Sequence, residues 1–390
     1  MTHTSAIQTP PMSTSPVTAT PDVLEEKPIF VAGQWRLFWL KFRKHKVALA
    51  SLWLIAGLYL MSAFTEFLAP YPADAGVARY TYARPQPLHL FAPGADNWQI
   101  APWVESLKVT IDPVAMRRTF VPDPSKPIAI GFFVPTQPYT LLGFIPVQHK
   151  LLGPLDPTQP MYLLGADRLG RDILSRTIYG ARISLSIGLV GVAISLVLGV
   201  MLGGISGFFG GAVDTVIQRV IEFLRSIPTI PLWMGLAAAV PLTWPPLWTY
   251  FVITLIVSLL GWTSLAREVR GKFLSLRGED FVLAARFDGM SEIGIIVRHL
   301  VPSFTSHIIA ALTLAIPHMI LAETALSFLG IGLQPPIVSW GVLLQEAQNV
   351  RSVAQAPWLL MVPGTAVVMS VLALNFLGDG LRDASDPYAR

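Results

Sequence analysis

With 390 residues, 53% of them apolar and 13% charged, and a mean hydropathy of +0.55, the chain departs from the composition of an ordinary soluble domain and reads as a polytopic membrane protein. Cysteine is absent, which excludes disulfides, thiolate metal sites and a cysteine nucleophile, so any part outside the membrane is held by packing alone. The formal charge of +4 has meaning only once charges are assigned to a side of the membrane, and nucleic-acid binding is a poor use of so small an excess.

Residues 1–28 are rich in Thr, Ser and Pro and cannot bury enough surface to fold, so they are expected to be a disordered tail. Residues 29–46 interleave Arg36, Lys41, Arg43, Lys44 and Lys46 with Trp35, Phe38, Trp39 and Phe42. That mixture predicts an amphipathic helix on a lipid surface, because an apolar run follows at once and both residue types favour that interface. The run, residues 47–69, is long enough for the ~20 residues that a hydrocarbon core requires. Residues 70–164 then change to Pro, aromatic and scattered charged residues, with β-like runs at 128–134 and 139–145, and read as a small strand-containing insert beyond the membrane.

Residues 165–182 carry Arg168, Arg171, Arg176 and Arg182 among Ile173, Leu174, Ile178 and Tyr179, the pattern of an interfacial helix. From 183 to 379 the pattern predicts a core of five further spans, the second span of the chain at 183–208. Here small residues recur at every fourth position: Gly191, Ser195, Gly199, Gly203, Gly207 and Gly211. Such a row lets two backbones approach closely, within the fold or across a dimer; it drifts by roughly 40° per step, so a partner can follow only part of it. The third span, 216–240, bears Arg219, Glu222 and Arg225 within pairing reach and is bent by Pro228 and Pro231. The fourth is expected at 247–265, the fifth at 307–331 and the sixth at 359–377, before a C-terminal tail at 380–390; an amphipathic run, 340–348, precedes the sixth. In the fifth span, His318 and Glu323 are five apart and on different helix faces; no metal-ligand set accompanies them, and they either line a translocation path or bond to a neighbouring helix.

Between the fourth and fifth spans lies a polar island, residues 279–302. Glu279 and Asp280 suit a helix N-terminus, Ala284 and Ala285 favour its middle, and Gly289 stops it. Ser291 can cap a second helix, with Ile293, Ile296, Val297 and Leu300 at helical spacing and Pro302 at its end. The loop holding this island has Arg267, Arg270, Lys272, Arg277, Arg286 and Arg298, whereas the two short loops of the opposite face have only Arg351, so the island and both termini are expected to be cytoplasmic.

Ala284-Ala285, Gly289 and, twelve residues later, Pro302 resemble the cytoplasmic coupling segment of bacterial ABC importer permeases, usually written EAA…G…I.LP. Leu283 stands for the Glu of that pattern, His299 for Ile and Val301 for Leu. The stretch GADRLGRDILSRTIYGARISL, from Gly165, resembles GTD..GRD..SR..YG.R.SL of the C-type permease of dipeptide, oligopeptide and nickel importers, with Ala166 for Thr; the ending GDGLRDASDPYAR is similar to that of the same subgroup. The resemblance implies an all-α polytopic protein of six transmembrane helices, the type I ABC importer permease fold, with a periplasmic insert containing some β. It also implies a bacterial inner-membrane location and three kinds of partner: a homologous second permease, two ATP-binding subunits and a periplasmic substrate-binding protein.

On this reading Asp280, Ala284, Ala285, Arg286, Asp288, Gly289 and Pro302 couple the chain to an ATPase, Gly199, Gly203 and Gly207 pack helices, and His318 and Glu323 are candidates for the path. No GxxxxGK[ST] phosphate loop occurs, so this chain is expected to bind no cofactor, with ATP and Mg on the partner subunits. No catalytic set suggests an enzyme. The expected substrate is an oligopeptide, with an oligosaccharide such as an α-galactoside or a nickel chelate as alternatives. An ion channel would instead lack an ATPase partner.

Overall fold

The computed structural model describes residues 34–91, 100–112, 117–241, 243–349 and 354–385. The tail expected at 1–28, Arg351 and the chain end with Tyr388 and Ala389 lie outside them. The chain opens with α1 (Gln34–Lys44) and α2 (Lys46–Ala63), which break at His45, whose Nδ1 accepts the Ala48 N–H at 3.1 Å and caps α2. Phe42 is fully buried among Ala48, Leu377 and Ala384, so α1 is anchored to the protein as well as amphipathic. A short α3 (Thr65–Leu68) ends this part.

Four strands follow: β1 (Leu88–Phe91), β2 (Ile100–Asp112), β3 (Arg117–Leu141) and β4 (Ile145–Pro154), antiparallel in the order β1-β2-β3-β4. The β-like runs at 128–134 and 139–145 belong to one long strand and its turn. Residues 117–129 of β3 pair with β2, and residues 130–141 pair with β4. Lys150 of β4 holds the sheet to the end of the first ascent, donating to the Ala69 carbonyl at 2.7 Å.

The boundary expected at 182/183 corresponds to no break. A single helix, α4 (Ile173–Phe209), runs for 37 residues. At about 1.5 Å per residue it far exceeds a ~30 Å hydrocarbon core, so the helix is longer than a single crossing requires. The third span is not one rod either: α5 (Gly211–Ser226) and α6 (Thr229–Ala238) meet at 84°, with Pro228 at the N-cap of α6. Arg219 pairs with Glu222 at 2.7 Å, while Arg225 reaches across to the Ser264 hydroxyl at 2.9 Å.

The rest is α7 (Pro246–Leu276), α8 (Asp280–Phe287), α9 (Glu292–Ile295), a wide turn at Ile296–Leu300, α10 (Val301–Ser303), α11 (Thr305–Phe328), α12 (Trp340–Glu346) and α13 (Trp358–Ser385). Among the described residues, five helices are long and apolar enough to cross a membrane, and six if the bent α5–α6 pair counts as one span.

The small-residue row of α4 meets α7. A Cβ on Gly199 would lie 2.9 Å from Leu265 Cβ, one on Gly203 2.4 Å from the Ala266 carbonyl oxygen, and one on Gly207 2.7 Å from that of Arg270. Earlier on α4, a Cβ on Gly191 would lie 3.0 Å from Ser258 Oγ, so α7 tracks most of the row. Gly211 falls past the end of α4 and would meet nothing within 4 Å. Absent side chains here permit backbone approach, the usual basis of close helix pairing in lipid.

Candidate functional site

α8 is closed by hydrogen bonds that its own sequence dictates. Gly289 has φ +75°, a conformation glycine takes without steric cost, and its N–H reaches the Arg286 carbonyl at 3.0 Å while the Met290 N–H reaches that of Ala285 at 3.1 Å. These are the two bonds of a Schellman ending. Ser291 then caps α9 by accepting the Gly294 N–H at 3.2 Å. Before Pro302 the helix widens: the Val301 N–H bonds to the Ile296 carbonyl, five residues back. A proline cannot donate to the helical ladder and crowds the turn before it, which such a widened turn relieves.

Val282, Ala285, Ile295, Ile296 and Leu300 are buried against Phe208, Phe273 and Phe304, so the segment sits on the ends of α4, α7 and α11. Asp280, Ala284, Arg286, Asp288, Gly289 and Pro302 are exposed. The Arg286 guanidinium lies 4.9 Å above the Phe208 ring, tying α8 to α4. The outward face also carries Phe281, Leu283, Ile293 and, 89% exposed, Phe287. The sequence did not single out these apolar side chains; the signal available was a phenylalanine directly before Asp288 and the stop at Gly289.

Glu323 is fully buried in α11 and accepts from three hydroxyls, Ser327 at 2.8 Å, Ser339 at 2.7 Å and Ser184 at 3.3 Å. Each of those hydroxyl oxygens accepts a backbone N–H: of Leu333, Val342 and Trp340 respectively. With its lone pairs so engaged, each serine turns its single proton to the carboxylate. Glu323 thus joins α11, α4 and the start of α12, and is inaccessible in this conformation. His318 is exposed and not part of this group.

A second buried node holds the other end of α12. Arg176, 1% exposed, pairs with Asp167 at 2.8 Å and Glu346 at 2.5 Å, while Arg171 pairs with the same two carboxylates at 2.6 and 3.1 Å. Arg171 and Arg176, two of the four arginines expected at a headgroup surface, are therefore spent inside the protein, while Arg168 is exposed and Arg182 pairs with Glu66. Asp167 lies four residues before Arg171, a local hint, but Glu346 is 170 residues from Arg176 and nothing in the sequence joined them. Burial pushes the Glu346 carboxyl up, and the Arg176 hydrogen bond with the Arg176 and Arg171 charges outweighs it, leaving the group below the usual carboxylate range.

Asp172 caps α4 by accepting the Ser175 N–H at 2.8 Å, and its Oδ1 has no partner. Burial, opposed by the Ser175 bonds and aided by the Asp167 charge, pushes its carboxyl up to about 6. Its contribution to stability is then fully present below the unfolded value of about 3.9 and is lost as pH rises through about 6. In Asp172→Asn the fall in thermal midpoint between those values should flatten, by an amount on the order of 2 to 3 kcal/mol at pH 7. An unaltered pH slope in that variant would show that Asp172 does not set it.

A family described as binding-protein-dependent transport system inner membrane component matches residues 195–390, and one described as the N-terminal TM domain of oligopeptide transport permease C matches residues 33–87. The dipeptide transport system permease protein DppC of Lactococcus lactis subsp. cremoris is 33% identical over 355 residues, 90% of each chain. The oligopeptide transport system permease protein OppC of Haemophilus influenzae is 39% identical over 60% of this chain and 73% of its own, and OppC of Bacillus subtilis 34% identical over 62% and 76%. Among solved structures, an inward facing conformation of the MetNI methionine ABC transporter aligns with a TM-score of 0.42 at 16% identity, covering 54% of this chain and 97% of that one.

Proposed function

Because this chain belongs to the family of binding-protein-dependent transport system inner membrane components, and is a permease subunit of an ABC importer and no enzyme, we propose that it carries peptides across the bacterial inner membrane as the C-type partner of a second, related permease. The reading extends to six spans of the type I permease fold, the bent α5–α6 pair supplying one. Both termini and α8–α10 face the cytoplasm, and the sheet faces the periplasm. A binding protein delivers substrate there. Two ATPase subunits bind ATP with Mg and close against α8. Peptide transport is supported by the similarity to dipeptide and oligopeptide permease proteins; oligosaccharide or nickel-chelate import would show itself in the ligand carried by the cognate binding protein, identified by mass spectrometry of the purified complex.

One observation carries the mechanism: a capped helix-turn-helix between two spans, seated on the ends of α4, α7 and α11 and presenting Phe287, Phe281 and Leu283 outward. In place of the glutamate usual at Leu283, α8 offers an apolar ridge to the ATPase, with Asp280, Ala284 and Asp288 beside it. Ala285 is buried and Arg286 is stacked on Phe208, so these two fix α8 to its own helices. Motion of the ATPase then passes through the Gly289 turn and the Pro302 region into α11.

A Cβ on Gly289 would meet nothing within 4 Å, so a substitution there is opposed by backbone conformation alone. The left-handed region costs most residues roughly 1 to 2 kcal/mol, and more for a β-branched one, while Asn tolerates it. Gly289→Val should insert normally yet lower uptake per ATP hydrolysed about tenfold, and Gly289→Asn should stay near wild type. Wild-type coupling in Gly289→Val, measured in proteoliposomes with the partner subunits, would defeat this role.

A further inference from the structure

The β3–β4 hairpin is separated in charge from the rest of its sheet. From Pro127 to Gln148 there is no charged residue, whereas the part of the sheet formed by β2 and the start of β3 carries Glu105, Lys108, Arg118, Asp123 and Lys126. Its apolar side chains divide between two surroundings: Ile130, Val134 and Leu141 are buried, whereas Phe132 and Phe133 are more than 60% exposed and Phe144, at the tip, 73%. Two of its residues adopt left-handed backbone angles that asparagine or glycine takes more readily, Phe133 at φ 56° and Leu142 at φ 53°. At Phe133 this departs from the regular pleat and leaves two successive phenylalanines exposed; at Leu142 an apolar residue stands where turn chemistry favours Asn or Asp.

The hairpin also has a direction. Val134 lies opposite Lys150, which bonds to the Ala69 carbonyl at 2.7 Å. Five residues on, Tyr139 lines a cleft together with Glu66 and Tyr179, and Glu66 is ion-paired to Arg182 of α4. Glu66 precedes Ala69 on the ascending chain, so the hairpin turns back toward α2. Leu142 is three residues farther, about 10 Å at about 3.3 Å per residue. The hairpin touches the chain just past α2, where the Phe67 ring lies 6.0 Å from that of Phe133, and α2 with its end exposes Trp53, Leu60 and Phe64.

We propose that the tip of this hairpin, Leu142 with Phe144 and Ile145, dips into the lipid leaflet beside α2 and anchors the sheet to the membrane. The depth is interfacial. β4 is a sheet edge, and residues 130–141 of β3 pair only with β4 among the described residues, so both sides of the hairpin carry unpaired backbone groups that a hydrocarbon interior does not tolerate. Pro135, Pro138 and Pro146 remove some of those donors. Side chains at the tip then reach the boundary of headgroups and chains, as apolar faces of surface-bound segments do. This rests on α2 crossing the membrane and not on the transported substrate.

The chain has no native cysteine, so Phe144→Cys and Leu142→Cys each accept a single environment-sensitive fluorophore, with Ser125→Cys, exposed between Asp123 and Lys126, as the reference. The full chain is reconstituted in phosphatidylethanolamine and phosphatidylglycerol vesicles, with iodide on both sides or with doxyl-labelled lipid. The label at 144 and at 142 should emit at shorter wavelength than at 125, be quenched several-fold more by doxyl lipid and be shielded from iodide. Iodide quenching equal to that at 125 would overturn the proposal. So would protection from both quenchers, which would mean that protein, not lipid, covers the tip.

Discussion

Replacing Glu346 with alanine is expected to destabilise the chain by roughly 3 to 5 kcal/mol, the loss typical when one partner of a buried ion pair is removed. Arg176 is 1% exposed and would keep a single carboxylate, Asp167, shared with Arg171. Two cations and one anion would then remain inside the protein. For a chain of this size the thermal midpoint should fall by on the order of 10 °C, and transport should fall with it, since α12 would lose its attachment at one end. The loss belongs to the uncompensated charge and not to the pair itself, so Arg176→Met with Glu346→Leu should recover most of it, leaving Arg171 and Asp167 matched. The pH dependence has a defined sign. Glu346 titrates below the usual range when folded, so its contribution is present above the unfolded value of about 4.3 and disappears as pH falls through the lower, folded one. The difference between wild type and Glu346→Ala should therefore shrink in acid. Equal midpoints at neutral pH would show that the node is ornamental.

Gly203→Val is expected to be as damaging, for a steric reason. A Cβ there would lie 2.4 Å from the Ala266 carbonyl oxygen and 2.8 Å from its Cα, and backbone cannot rotate away as a side chain can. α4 and α7 would have to separate, opening the neighbouring contacts at Gly199 and Gly207 as well. Overpacking a core costs roughly 1 to 3 kcal/mol, and this site belongs above that range because the obstacle is main chain. Gly271, on α7, is the control: its Cβ would meet nothing within 4 Å, and in a helix alanine is preferred over glycine by about 1 kcal/mol. Gly271→Ala should hold or raise the midpoint while Gly203→Val yields little folded protein in detergent. Normal recovery and an unchanged midpoint for Gly203→Val would refute the packing argument.

Apolar runs of about 20 residues pointed to the long apolar helices, since that length is imposed by a bilayer and not by any partner. The helix, glycine turn and second helix at 279–302 were legible for a similar reason: caps and stops are local chemistry, written within four or five residues of where they act. The row Gly199, Gly203 and Gly207 announced close packing. It could not name α7 as the partner, because periodicity describes one surface and not what meets it.

Other features were decided by residues far apart in the chain. The arginines at 171 and 176 looked interfacial because their alternation with apolar residues is that of a surface helix; Glu346, brought alongside by α12, made them internal. Glu323 could be read equally as lining a path or bonding a helix until three serines from separate elements converged on it. The bend at Pro228 was visible in the sequence, but its 84° was not. By itself, then, the sequence determined which segments form long apolar helices and that a polar, capped helix-turn-helix lies between two of them. Only the tertiary structure decided which charges are neutralised within the protein and which apolar side chains, Phe287 and Phe144 among them, are left outside. Burial and charge pairing depend on neighbours in space, and a one-dimensional pattern does not contain them.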